Sequence, residues 1–303
     1  MPPSPPFQRV ALIGNDHDAR VLESLHLIAE HLTHLGRQVA VDAASTVDFG
    51  GVPVERRPEG ELTQGADLIV AVGGDGTMLH AARLASRADV PVLGVNRGRL
   101  GFLADIGPAD LRDRLNEILE GRYVRDRRTM LEATLCSPDG PLRQGHALND
   151  VVLQKWRTGR MLDFETWIDG RYVNTHGGDG LVVATATGST AYALSCGGPI
   201  LYPELDAVVL APICPHTLSD RPIVVRSSSK IEVRLLDRLD TQAQVICDGV
   251  SLGAIAPGQT LVVARAAADA TLLHPADHDY YRTLRSKLRW GRGDRMFPNQ
   301  DTD

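Results

Sequence analysis

The chain has 303 residues, of which 43% are hydrophobic and 23% charged, with a formal net charge of -6. That mixture suits about two ordinary globular domains, and the negative balance argues against chain-wide attraction to nucleic acid while leaving room for a small ligand whose phosphates are held by backbone N–H groups. The opening MPPSPPFQR lacks a secretory leader, the apolar runs fall short of the ~20 residues of a membrane span, and the four cysteines lie far apart without a C-x-x-C pair, so a cytoplasmic protein with reduced thiols is expected.

Residues 1–6 form a Pro-rich arm expected to be disordered. Arg9–Ile13 reads as a buried strand with a Gly14-Asn15-Asp16 turn after it. Val21, Leu25, Ile28 and Leu32 share one helical face over residues 19–35, and Gly36 should end that helix. Val39–Val41 is a strand, and the Gly-, Pro- and charge-rich residues 48–65 read as a loop. Leu68–Val72 is a strand running into Gly73-Gly74-Asp75-Gly76-Thr77 and then a helix carrying Leu79, Ala82 and Leu84. Val92–Val95 precedes the loop Asn96–Phe102, and a helix over 108–120 closes this half. Strands alternating with helices predict a Rossmann-like parallel α/β domain over residues 1–127.

From Arg128 the pattern changes to short strands separated by Gly, Asp and Pro turns: Thr129–Cys136, Val151–Gln154, Leu162–Ile168, Ile231–Leu235 and Thr260–Arg265. An antiparallel, β-sandwich-type domain is expected over 128–270. The tail, 271–303, returns to helical spacing and is expected to pack back on the first domain.

Three motifs carry chemistry. Gly73–Thr77 stands between a buried strand and a helix, where glycines allow close approach of phosphate and the helix N-terminus offers N–H groups. An acid inside such a loop would repel phosphate. It makes sense if Asp75 takes or orients the proton of an attacking hydroxyl, against the plainer reading of an Asp-capped turn. No Walker lysine follows, and Leu79 stands where G-x-G-x-x-G needs its third glycine. The second motif, Gly177–Pro199, is dense in glycine and hydroxyls, with Tyr192 offering a flat face to a base. Ala193-x-Ser195-x-Gly197 imitates a hydrolase elbow, but the strand ends near Thr185, too early for one. The third, Asn149-Asp150, is weak alone and reads as a solvated turn. His274 and His278 have helical spacing, yet Pro275 disfavours the helix that would align them on a metal.

Taken together, Gly73–Thr77, Val95–Leu103, Leu148–Asp150, Asp179–Pro199, Pro215–Ser219 and Tyr281–Gly291 resemble the blocks of the NAD kinase family, in family order. The first loop is shared with lipid kinases and phosphofructokinases, whereas Thr185–Gly198 is far more specific. The resemblance implies an enzyme that moves the γ-phosphate of ATP to the adenosine-ribose 2′-hydroxyl of NAD, giving NADP. Inorganic polyphosphate is a second donor in some members. It further implies Mg²⁺ or another divalent cation carried by ATP rather than by protein ligands, a homodimer or homotetramer, and no nucleic-acid or membrane partner.

Asp75 takes the family's proton-acceptor position, with Gly73, Gly74, Gly76 and Thr77 at the nucleotide. Asn149 and Asp150 match the NAD-binding Asn-acid pair, and Asp179 the acid near the NAD ribose. The run Thr190, Ala191, Tyr192, Ala193, Leu194 and Ser195 lines the adenine side, with Thr187 a further binding residue and Arg160, His176 and Gly177 facing ligand. Three departures stand out: Asp150 for the commoner Glu, Ala186 for a usual Pro, and Gly177 where many bacterial members carry Arg. A lipid or sugar kinase sharing the first loop, or a non-catalytic dinucleotide sensor, are the alternatives.

Overall fold

The structure is a computed structural model and describes residues 7–97, 101–156, 161–237 and 241–288. The Pro-rich arm, Arg160 and part of the Asn96–Phe102 loop lie outside the described residues. The chain divides into two compact units, residues 1–126 with 271–303, and residues 127–270. Among the described residues no helix is long and apolar enough to cross a membrane.

The first unit contains β1 (Arg9–Gly14), α1 (Ala19–His34), β2 (Gln38–Asp42), β3 (Val54–Arg57), β4 (Leu68–Val72), α2 (Asp75–Ser86), β5 (Val92–Val95), α3 (Leu111–Leu119) and most of β6 (Tyr123–Arg128). Its seven-stranded sheet runs β3-β2-β1-β4-β5, then a strand from the chain's far end, then β6. Pairing is parallel from β3 to that inserted strand. All five residues of β4 are buried, as a central parallel strand covered on both faces requires. In α1, Asp18 accepts from the Arg20 N–H and Val21, Leu25, Ile28 and Leu32 are buried. The helix stops before Gly36, whose φ of 74° no β-carbon would tolerate cheaply.

Three expectations change here. The loop at 48–65 contains β3, an edge strand whose Glu55, Arg56 and Arg57 disguise it. Charge is a usual edge device, and the Arg56 guanidinium donates to the carbonyls of Ser45 and Val47. The face that α2 buries is Met78, Ala81, Ala82 and Ala85, while Leu79 and Leu84 are only half-buried. The tail begins as a strand.

The second unit holds β7 (Leu131–Ser137), β8 (Gly140–Ala147), β9 (Asp150–Lys155), β10 (Leu162–Ile168), β11 (Arg171–Gly178), β12 (Gly180–Thr185), α4 (Tyr192–Ser195), β13 (Ala207–Ile213), β14 (Ile223–Arg226), β15 (Ile231–Leu235), β16 (Ala243–Cys247), β17 (Val250–Ile255) and β18 (Thr260–Arg265). They form two six-stranded sheets, β11-β10-β15-β18-β7-β8 and β14-β13-β12-β9-β16-β17. Leu135, Phe164, Val233 and Leu261 of one meet Val151, Leu153, Val183 and Val245 of the other in one apolar core, a β-sandwich. The opposite face of β12 is covered too: Val182 and Ala184 pack with Ala186, Ala193 and Leu201.

β19 (Ala270–Pro275) and α5 (Tyr280–Leu288) return to the first unit, where Leu272 and Leu273 pair with Val92 and Leu93 of β5. This strand end and the turn after it bring His274 and His278 together with their rings stacked at 4.0 Å. The helix that Pro275 disfavours does not form over 274–278, and the two rings meet without it.

Candidate functional site

In the first sheet the chain leaves β1 towards β2 on one side and leaves β4 towards β5 on the other. The C-terminal ends of β1 and β4 thus flank a topological switch point, where open α/β sheets bind ligands. Gly73–Thr77 follows β4 directly, with Gly74 capping α2 and Asp75 as its first residue. Gly74 and Gly76 are exposed, so backbone N–H groups at the head of α2 are open to an anion. The Asp75 carboxylate is held from a second side: Phe102 N–H donates to Oδ2 (3.1 Å) and Leu103 N–H to Oδ1 (3.2 Å). Gly101 makes that approach feasible, since a β-carbon there would lie 2.0 Å from Asp75 Oδ1.

In the second unit Asn149 and Asp150 stand at the start of β9. Asp248, in the β16–β17 hairpin with φ of 47°, accepts from three successive N–H groups: Leu148 (2.8 Å), Asn149 (2.8 Å) and Asp150 (3.1 Å). The Asn149 carbonyl accepts from Thr185 N–H at 2.9 Å, and Gly188 lies so close that a β-carbon would sit 2.1 Å from that oxygen. The pair therefore joins the Gly-rich block at an irregular strand start. It is no solvated turn: Asp150 is 7% exposed. Burial pushes its carboxyl up to about 7, the Asp248 charge adds to the rise, and the Tyr192 N–H opposes it.

The remaining expected residues divide. Asp179 pairs with Lys155 Nζ at 2.7 Å. His176 is buried, stacked on Phe164 at 5.0 Å, with Nδ1 on Asp220 Oδ2 at 2.8 Å. Gly177 is half-buried beside Asp163. The Thr187 hydroxyl accepts from buried Arg128 at 3.1 Å, and the Ala193 side chain packs in the core rather than towards ligand. Tyr192 and Ser195 are exposed, and Thr190, Ala191 and Leu194 half-buried. Ser195 lies in α4, ten residues beyond the end of β12 at Thr185, so the elbow geometry is absent.

Sequence reasoning missed Asp248, Lys155, Arg128 and the N–H groups of Phe102 and Leu103. The Asp248-Gly249 dipeptide did signal a hairpin turn, but nothing local showed that its carboxylate reaches Leu148–Asp150. Among the described residues, the three side chains that converge as metal ligands are Asp105, His274 and His278, outside both of these sites.

Residues 10–123 match the family model described as ATP-NAD kinase N-terminal domain, and residues 148–274 match the ATP-NAD kinase C-terminal domain. The chain is 45% identical over 285 residues to a protein named NAD kinase from Ectopseudomonas mendocina (strain ymp), covering 94% of this chain and 97% of that one. A NAD kinase of Marinobacter nauticus (strain ATCC 700491 / DSM 11845 / VT8) is 43% identical over 284 residues, covering 94% and 97%. Among solved structures, yeast NADH kinase complexed with NADH superposes with a TM-score of 0.88 at 25% identity, over 97% of this chain and 90% of that one. A NAD kinase from Archaeoglobus fulgidus in complex with ATP gives 0.73 at 28% identity, over 93% and 98%.

Proposed function

The chain belongs to the ATP-NAD kinase family, and we propose that Asp75 is its acid–base residue. The protein is a phosphotransferase that converts NAD to NADP with ATP. In the reaction we infer, the adenosine-ribose 2′-oxygen attacks the γ-phosphorus in line, the bond from that phosphorus to the β,γ-bridging oxygen breaks to release ADP, and the 2′-hydroxyl proton passes to Asp75. Such transition states are loose, so the proton moves late and the carboxylate contributes orientation as well as basicity. Mg²⁺ would be carried on the ATP phosphates, where it would offset the charge developing on the transferred group.

The observation that supports this reading is an acid at the head of a helix, at the switch point, with two backbone N–H groups aiming its carboxylate. Asp75→Asn is expected to lower kcat by about 10²–10⁴-fold while calorimetry still shows NAD binding. Turnover within a few-fold of wild type would overturn the role.

In the second unit, Asn149 and Asp150 take NAD hydroxyls, Asp179 the ribose region, and the exposed ring of Tyr192 the adenine, with Thr190 to Ser195 around it. Arg128 and Asp248 support this wall from behind. Gly177 leaves the place of a long cation empty, and on that ground polyphosphate is expected to serve as a second donor. Purified enzyme should form NADP with nucleotide-free polyphosphate and lose that activity as Gly177→Arg; no activity above background refutes the idea. We place the enzyme in the cytoplasm as a homodimer or homotetramer. Exposed Ile223 and Val224 on edge strand β14 support self-association, which light scattering checks.

A further inference from the structure

Away from both sites, one cluster of side chains in the first unit has no part in phosphoryl transfer. Asp105 follows β5, His274 is the next-to-last residue of β19, and His278 sits in the turn before α5. Both imidazoles address one carboxylate oxygen: His274 Nδ1 lies 2.5 Å and His278 Nδ1 2.8 Å from Asp105 Oδ2. The ligand atoms of all three lie within 4.8 Å of one another. On the far side of the His274 ring, Nε2 faces Asp126 Oδ2 at 3.3 Å. His274 is 1% exposed, whereas His278 and Asp105 also line an open cleft of about 330 Å³ between α3 and α5.

From this geometry we propose that Asp105, His274 and His278 form a binding site for one divalent transition ion of the zinc class. Two imidazole nitrogens and one carboxylate oxygen are a donor set that zinc takes with a fourth position left to water. Asp126, whose Oδ2 stands 3.3 Å from Nε2, is placed to serve as the outer carboxylate that fixes a ligating histidine's ring and tautomer. Carboxylates only accept hydrogen bonds, so each Nδ1 now presents a proton to Asp105. The ion takes the place of those protons. Around bonds of about 2.0–2.1 Å the nitrogen–oxygen separations must widen to about 3.3 Å, and the His278 ring must swing out of its stack on His274. The open cleft beside His278 gives it room to do so. Asp105 and Asp126 together balance the ion's charge.

The site would fasten β19 and the turn before α5 to the segment that holds Asp75, since Asp105 lies two residues beyond Leu103. Its chemistry is separate from the Mg²⁺ that ATP brings.

The test uses untagged full-length protein, stripped with chelator and dialysed against Zn²⁺. Elemental analysis is expected to find one ion per chain, and Co²⁺ in its place should give the intense visible bands of a tetrahedral N/O site. Asp126→Asn should weaken binding by about 10–100-fold, as loss of an outer carboxylate does. His278→Ala should abolish it, with a thermal melt in chelator showing that the variant is folded. Wild type without stoichiometric ion, or His278→Ala binding as tightly as wild type, overturns the site. Should His278→Ala fail to fold, the wild-type cobalt spectrum and Asp126→Asn decide: octahedral bands or unchanged affinity refute the proposal.

Discussion

Asp150 is a buried carboxylic acid facing a second acid, and its folded-state pKa of about 7 stands far above the 3.8 of a free aspartate. Below pH 3.8 the folded and unfolded chains both hold the proton, and no difference arises. Between there and about pH 7 the unfolded chain releases it while the folded chain keeps it, so this group makes the fold less stable as pH rises. The whole window is worth at most about 4 kcal/mol. Urea midpoints should therefore fall less with pH in Asp150→Asn than in wild type; parallel curves contradict the assignment. As an NAD ligand the ionised carboxylate is the better acceptor. The KM for NAD should thus drop as pH rises through about 7 in wild type and stay flat in Asp150→Asn. At this scale the position of Asp75 was legible, because a glycine-rich turn between a buried strand and a helix fixes where its acid stands. Asp248 was not, since it acts through N–H groups 98 to 100 residues away.

Elements were legible where their periodicity was pure. The limits of β10, β15 and β18 agree with the alternation read from Leu162–Ile168, Ile231–Leu235 and Thr260–Arg265. They were obscured where an element serves an edge or packs with small residues: β3 is three-quarters charged, and α2 buries alanines that carry little hydrophobic signal. The junction of β12 with the turn after it shows how tightly elements constrain one another. Gly188 abuts the backbone oxygen of Asn149, and neither atom belongs to a side chain that can rotate away. Gly188→Ala should cost about 1–3 kcal/mol as overpacking does, and it should raise the KM for NAD because the strain falls on Asn149. Gly60→Ala is the matched control, with open space around its β-carbon position and no place in either site. Equal stability and equal KM in the two variants would show that the junction yields more easily than its geometry implies.

The whole molecule is a chain whose first unit is completed by its last strand. β19 lies between β5 and β6 in the sheet, so both lose a neighbour if the chain stops after Ala270. Such a truncation is expected to leave residues 1–126 open to limited proteolysis while the strands of 127–270 resist; protection of 1–126 equal to that of the full chain would refute this. The two domain patterns were readable from the change in strand and helix spacing near Arg128, but this closure was not, because six residues of strand in a tail of helical spacing carry no local mark of the sheet they enter. Its consequence reaches back to birth on the ribosome. Most nascent proteins fold from the N-terminus as it emerges; here the first-made residues must wait for β19, and the strands of 127–270 can finish ahead of both. Stalled nascent chains of increasing length, probed with protease, should show residues 127–270 protected before residues 1–126. The opening α/β segment thus spends nearly the entire time of synthesis with the side of β5 unpaired, exposed to whatever else in the cell offers a strand.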